Sequence, residues 1–123
     1  MDVRLSEAEW EVMEVLWASP SPLTATDIAD RIPALRDWSL ATVKSLLSRL
    51  LAKGAVRPDK DGRRFLYTPA IERESYVGDE SRRFVDRLFG GRLSPLIAQL
   101  AEDETLGEDD VAEIEALLAR LKS

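Results

Sequence analysis

The 123-residue sequence contains neither cysteine nor histidine. The first absence excludes disulfides and thiolate metal sites. The second removes the commonest general base and metal ligand. Hydrolysis or metal chemistry would have to run on carboxylates, lysines and hydroxyls, and the chain shows no nucleophile–base pair among them. A protein that is not an enzyme and needs no cofactor is expected. No apolar run approaches the roughly 20 residues that cross a bilayer, so no membrane partner is expected. The opening stretch, residues 1–17, carries four glutamates and no cleavage site. That argues against a secretory leader and for a cytoplasmic location.

What is present suits one or two small domains: 45% of residues are hydrophobic and 33% charged. The net charge of −6 is unevenly placed. Residues 1–35 sum to −5, residues 36–67 to +5 and residues 68–123 to −6. A polyanion responds to the field within about one Debye length, roughly 8–10 Å, so the basic window matters more than the total. On charge alone, that window is either a nucleic-acid surface or a solvated basic face.

Residues 5–17 read as a helix. Ser6 and Glu9 have capping-box spacing, and Ala8, Val12, Val15 and Leu16 form one apolar stripe. Trp10, Met13 and Trp17 form a second, which makes the tryptophans core residues on this reading. Ser19-Pro20-Ser21-Pro22 is a stop. Residues 24–31 form a short helix capped by Thr24, with Asp27 in its first turn, and Pro33 lies beyond its end.

Residues 39–53 form the most informative helix. Ser39 is its N-cap, Trp38 is placed to staple onto Val43, and Gly54 follows its C-terminus. Val43, Leu46, Leu47, Leu50 and Leu51 share one side. Ala41, Ser45, Ser48, Arg49 and Ala52 occupy the other, flanked by Thr42 and Lys44, and no acid falls between residues 40 and 53. Solvated helix faces ordinarily mix signs. Small hydroxylic and basic side chains suit base edges and phosphates in a groove about 12 Å wide. A hairpin follows over residues 55–68, turning at Asp61-Gly62. Pro58 marks its first strand as an edge, and Lys60, Arg63 and Arg64 are at its tip. Three helices and a two-stranded ribbon are the order of a winged helix-turn-helix.

Residues 71–123 differ. After a polar lead-in over residues 72–77, three helices are expected: one over residues 79–89, one opening at Ser94-Pro95, and one starting at residues 107–110. Their apolar positions (Phe84, Leu88, Leu96, Ile97, Leu100, Ile114, Leu117, Leu118 and Leu121) form stripes too thin for an independent core. A second copy of the chain is the expected cover, since palindromic DNA sites call for two-fold dimers. The acidic stretch over residues 102–110 lacks the alternating oxygens and central glycine of a calcium loop, and no metal is expected there. The fold class is therefore mainly α with a small β-hairpin: a winged-helix DNA-binding domain over residues 1–70 and a helical dimerisation domain over residues 71–123. Two other functions fit the same residues: a protein-interaction winged helix docking an acidic partner, and a small-molecule-responsive regulator with a pocket near Trp10 and Trp17.

Four stretches resemble the penicillinase-repressor family (the BlaI, MecI and CopY transcriptional repressors). They are LSEAEWEVMEVLW at 5–17, WSLATVKSLLSRLLAKG at 38–54, DGRRFLYTP at 61–69 and the span 84–118. The resemblance implies a homodimeric repressor on an inverted-repeat operator of double-stranded DNA, controlling resistance or stress-response genes. It places Ser39, Ala41, Thr42, Lys44, Ser45, Ser48 and Arg49 in the groove and Arg63 and Arg64 on the wing. Copper-responsive members use a C-terminal cysteine cluster, which is missing here. Members induced by a membrane-bound sensor protease are cut at an Asn-Phe bond. The matching position here is Gln99-Leu100, so a sensor protease acting on this chain would meet a different bond.

Overall fold

The computed structural model describes residues 3–123. Two compact units divide the chain, Met1–Val77 and Gly78–Ser123.

In the first unit, α1 spans Glu7–Ala18, α2 Ala25–Arg31 and α3 Leu40–Ala52. Each starts where a side chain satisfies otherwise orphaned backbone donors. Ser6 Oγ accepts from Glu9 N–H at 3.1 Å, and Glu9 Oε1 accepts from Ser6 N–H at 2.7 Å. Thr24 and Asp27 make the same reciprocal box, both bonds at 3.1 Å. Ser39 Oγ accepts from Thr42 N–H at 3.1 Å. Gly54, at φ +74°, ends α3 in the left-handed region that glycine enters freely. Val12, Met13, Leu16, Ile28, Leu47 and Leu50 are buried between the three helices. The α2–α3 connection contains a 3-10 turn, Ala34–Arg36, closed by Asp37 at φ +48°.

Strands β1 (Val56–Asp61) and β2 (Arg64–Pro69) pair antiparallel, with Asp61 opposite Arg64. The central turn residues are thus Gly62 and Arg63, one position later than the sequence motif suggests. Gly62 carries the positive φ (+67°) and Arg63 does not, the φ pattern of a type II′ turn. Beyond the turn, hydrogen-bonded and non-bonded pairs alternate, which puts Pro58 and Tyr67 in a non-bonded pair. Tyr67 turns both backbone groups the other way: Leu23 N–H donates to Tyr67 O at 3.1 Å, and Tyr67 N–H to Leu23 O at 2.7 Å. Pro58 therefore costs no ladder bond, and the ribbon is tied to the segment before α2.

Helix α4 spans Arg73–Phe89 without a break. The polar lead-in expected over residues 72–77 is mostly helix, and the first compact unit extends past Ala70, the expected boundary, to Val77. Packing explains both. Tyr76 is buried and accepts from Leu5 N–H through its hydroxyl at 3.0 Å. Trp17 Nε1 donates to Ile71 O at 3.0 Å. Trp10 and Trp17 are half-buried, edge to face with centroids 5.3 Å apart, and Tyr76 is 5.7 Å from Trp10. The tryptophans hold the start of α4; Tyr76 and Arg73 lie against Trp10, where the ligand-responsive reading needs a pocket.

In the second unit, the rest of α4 is followed by α5 (Leu93–Glu102) and α6 (Glu108–Lys122). Gly90 (φ +59°) and Gly91 (φ +81°) stop α4. Asp110 Oδ2 accepts from Gly107 N–H at 3.3 Å at the start of α6. Among the described residues, none in this unit is buried. No helix among the described residues is long and apolar enough to cross a membrane.

Candidate nucleic-acid interface

Helix α3 divides as its periodicity predicts. Val43, Leu46, Leu47 and Leu50 are buried, whereas Ser39, Ala41, Thr42, Lys44, Ser45, Ser48 and Arg49 are all exposed. Five of these seven exposed residues, Ser39, Ala41, Thr42, Ser45 and Ser48, have small side chains. A backbone carrying such a face can come close to a flat partner.

Arg63 and Arg64 are exposed on the wing, and the fold brings them to α3. A cleft of about 220 Å³ is lined by Lys44 of α3, Thr24 and Thr26 at the start of α2, and Arg63, Arg64 and Phe65 of the ribbon. No carboxylate lines it. Thr26 and Phe65 were not singled out from sequence. Strand alternation carried the signal for Phe65, which shares a face with Tyr67, but not for Thr26, whose placement depends on the Leu23–Tyr67 bridge.

The eight cations of the basic window are not equivalent. Arg36 binds Glu11, with its Nε at 2.8 Å, and its guanidinium sits 5.8 Å from the Trp38 ring centre. Lys53 Nζ reaches Glu9 Oε1 at 2.5 Å and Arg4 O at 2.6 Å. Arg64 binds Asp61 at 3.1 Å. Among the described residues, Lys44, Arg49, Arg57, Lys60 and Arg63 form no ion pair, and these five define the available positive surface. Glu9 is almost wholly buried. Burial pushes its carboxyl pKa up. The Lys53 and Ser6 hydrogen bonds and the Lys53 charge outweigh that and hold it below the ordinary glutamate value.

In the second unit, α5 and α6 enclose an apolar groove of about 840 Å³, lined by Leu93, Ile97, Ile114, Leu117, Leu118 and Leu121. Leu96 and Leu100 are half-buried and lie outside that lining; Phe84 and Leu88 are exposed on α4. The bond between Gln99 and Leu100 is inside α5. Its flanking carbonyls are both hydrogen-bonded, Gln99 O to Asp103 N–H at 3.1 Å and Leu100 O to Thr105 N–H at 3.0 Å.

The Penicillinase repressor family matches residues 5–120 of this chain. The chain belongs to that family. It is 31% identical over 120 residues to the penicillinase repressor of Bacillus licheniformis, covering 98% of this chain and 93% of that one. It is 32% identical over 114 residues to the methicillin resistance regulatory protein MecI of Mammaliicoccus sciuri, covering 93% and 92%. Among solved structures, it matches the DNA-binding domain of the repressor BlaI with a TM-score of 0.53 and 36% identity, covering 60% of this chain and 89% of that domain. It also matches the monomeric form of Bacillus licheniformis BlaI in complex with the blaP half-operator, with a TM-score of 0.52 and 36% identity, covering 61% and 92%. The family is one of transcriptional repressors rather than enzymes, and the winged-helix fold class agrees with these domains.

Proposed function

We propose that this chain is a DNA-binding transcriptional repressor that binds an inverted-repeat operator as a homodimer and occludes a promoter, with resistance or stress-response genes as its targets. The observation that carries this reading is the acid-free exposed face of α3, continuous through Lys44 with the cationic cleft under the wing. Ser39, Ala41, Thr42, Ser45 and Ser48 face base edges in the major groove. Lys44, Arg49 and Arg63 contact phosphates, which supply most of the affinity. A half-operator complex of a 36%-identical relative supports a DNA partner.

The homodimer is supported by the second unit. It has no buried residue among those described, and it presents Phe84, Leu88, Leu117, Leu118 and Leu121 to solvent. Two such chains must place their α3 helices about 34 Å apart to enter successive major grooves. A sensor protease releasing the repressor would have to open α5 to reach the bond between Gln99 and Leu100.

The test is charge reversal on the exposed side of α3. Lys44→Glu and Arg49→Glu should each abolish binding to a short inverted-repeat duplex. Exposed substitutions change stability by no more than about 0.5 kcal/mol, so Tm should stay within about 3 °C. Retention of operator binding by both variants overturns the assignment. Binding of an acidic protein surface in place of DNA would establish the protein-interaction alternative.

A further inference from the structure

The boundary between the two compact units falls inside α4, between Val77 and Gly78, not in a loop. Glycine in a helix interior is a weak position. It opens about five-fold more readily than alanine, the factor equivalent to about 1 kcal/mol. Glycine is commonly required where φ is positive or where another group presses on the backbone. Neither applies here. Gly78 is absent from the positive-φ residues, and a Cβ built on it meets only the Arg82 guanidinium, at 4.0 Å. Nothing steric demands this glycine.

The chain on both sides of Gly78 is reinforced. Upstream, Arg73 binds Glu14 through two nitrogens at 3.0 and 3.2 Å and stacks 5.4 Å from the Trp10 ring centre. The Tyr76 hydroxyl and the Ile71 carbonyl are tied to the Leu5 N–H and the Trp17 indole. These contacts fasten the first turn of α4 to α1, so residues 69–77 cannot serve as the flexible connection. Immediately downstream, Asp79–Arg82 and Glu80–Arg83 ion pairs staple the next turn. Two positions, Val77 and Gly78, lie between the clamp and the staples, and glycine is the weaker helix former of the two.

We propose that Gly78 is a pivot. Helix α4 yields there and allows the two units to reorient without loss of packing in either. In the homodimer this lets each winged unit adjust to its half-site; that use rests on the repressor reading above.

The absence of cysteine allows two specific dye sites, Ser21→Cys and Glu113→Cys, both on exposed positions of different units. Dual-labelled protein, diluted into excess unlabelled chain, would be followed by single-molecule energy transfer. Gly78→Ala should narrow the distance distribution, and an unchanged width overturns the pivot. A second arm compares affinities for inverted repeats whose half-sites are separated by one extra base pair. The extra base pair should penalise Gly78→Ala about five-fold more than the unaltered chain; equal penalties remove the pivot from DNA recognition. Should the unaltered chain bind no inverted repeat at all, the repressor reading falls, while the energy-transfer width still decides the pivot.

Discussion

Arg63 and Arg64 are neighbours on the wing, yet their substitution should have different consequences. Arg64 is paired with Asp61 at 3.1 Å, so a phosphate has to compete with that carboxylate for it. Arg63 has no ion-pair partner among the described residues. With Lys44, Arg49 and Arg63 each neutralising one phosphate, a dimer releases counterions from about six phosphates, and log K falls with log salt at a slope of about −5.4. Arg63→Ala lowers that to about four phosphates and a slope of about −3.6. Between 50 and 200 mM salt the unaltered dimer should lose about 2,000-fold in affinity, and the Arg63→Ala dimer only about 150-fold. Arg64→Ala should leave the slope near that of the parent. Anisotropy of a labelled inverted-repeat duplex over that salt range measures all three. Equal flattening by Arg63→Ala and Arg64→Ala would refute the idea that internal pairing selects which cations meet phosphate. A loss by Arg63→Ala confined to one sequence would show that the wing reads bases.

Two other perturbations test different parts of the molecule. Because the folded-state pKa of Glu9 lies below its unfolded value, its contribution is fully present above the ordinary glutamate range and is lost as pH falls through the lowered value. Glu9→Gln should therefore cost about 2 kcal/mol at neutral pH, the order of a charge-assisted hydrogen bond. It should also flatten the acid limb of stability in urea titrations; an unaltered acid limb removes Glu9 from the linkage. The double change Leu117→Asp, Leu121→Asp should give monomers in sedimentation that bind operator poorly, and an intact dimer would place the interface elsewhere.

The winged unit was legible because its signals are local. Ser6 with Glu9, Thr24, Ser39 and Gly54 mark helix ends through bonds reaching no further than a few residues, and each mark is found in place. The start of α4 was not legible, because the contacts that hold residues 73–77 come from α1 and from Leu5 just before it. The link from Tyr76 to Leu5 spans 71 residues and that from Trp17 to Ile71 spans 54. The bridge on the outer edge of β2 was hidden for the same reason. A single residue, Leu23, pairs with Tyr67, and no periodicity can announce one residue.

The candidate interface shows the same division. The exposed face of α3 follows from helical spacing, but formal charge overstates it. Three of the eight basic residues in the window are bound to acids, and two of those acids, Glu9 and Glu11, belong to α1. Those two pairs sit at the two ends of α3. Lys53 caps its C-terminus, and Arg36 lies in the turn before Ser39. The acidity of the first segment thus has a positional role: it fastens both approaches to α3 against α1, while Lys44 and Arg49, between those two anchors, form no ion pair among the described residues. If that is the reason for the charge asymmetry, Glu11→Gln should loosen the turn before α3 and weaken operator binding without touching any DNA-facing residue. Its salt slope should stay parallel to the parent's, because no phosphate contact is lost. A changed slope would show that Arg36, once released, joins the phosphate contacts, and the anchoring argument would fail.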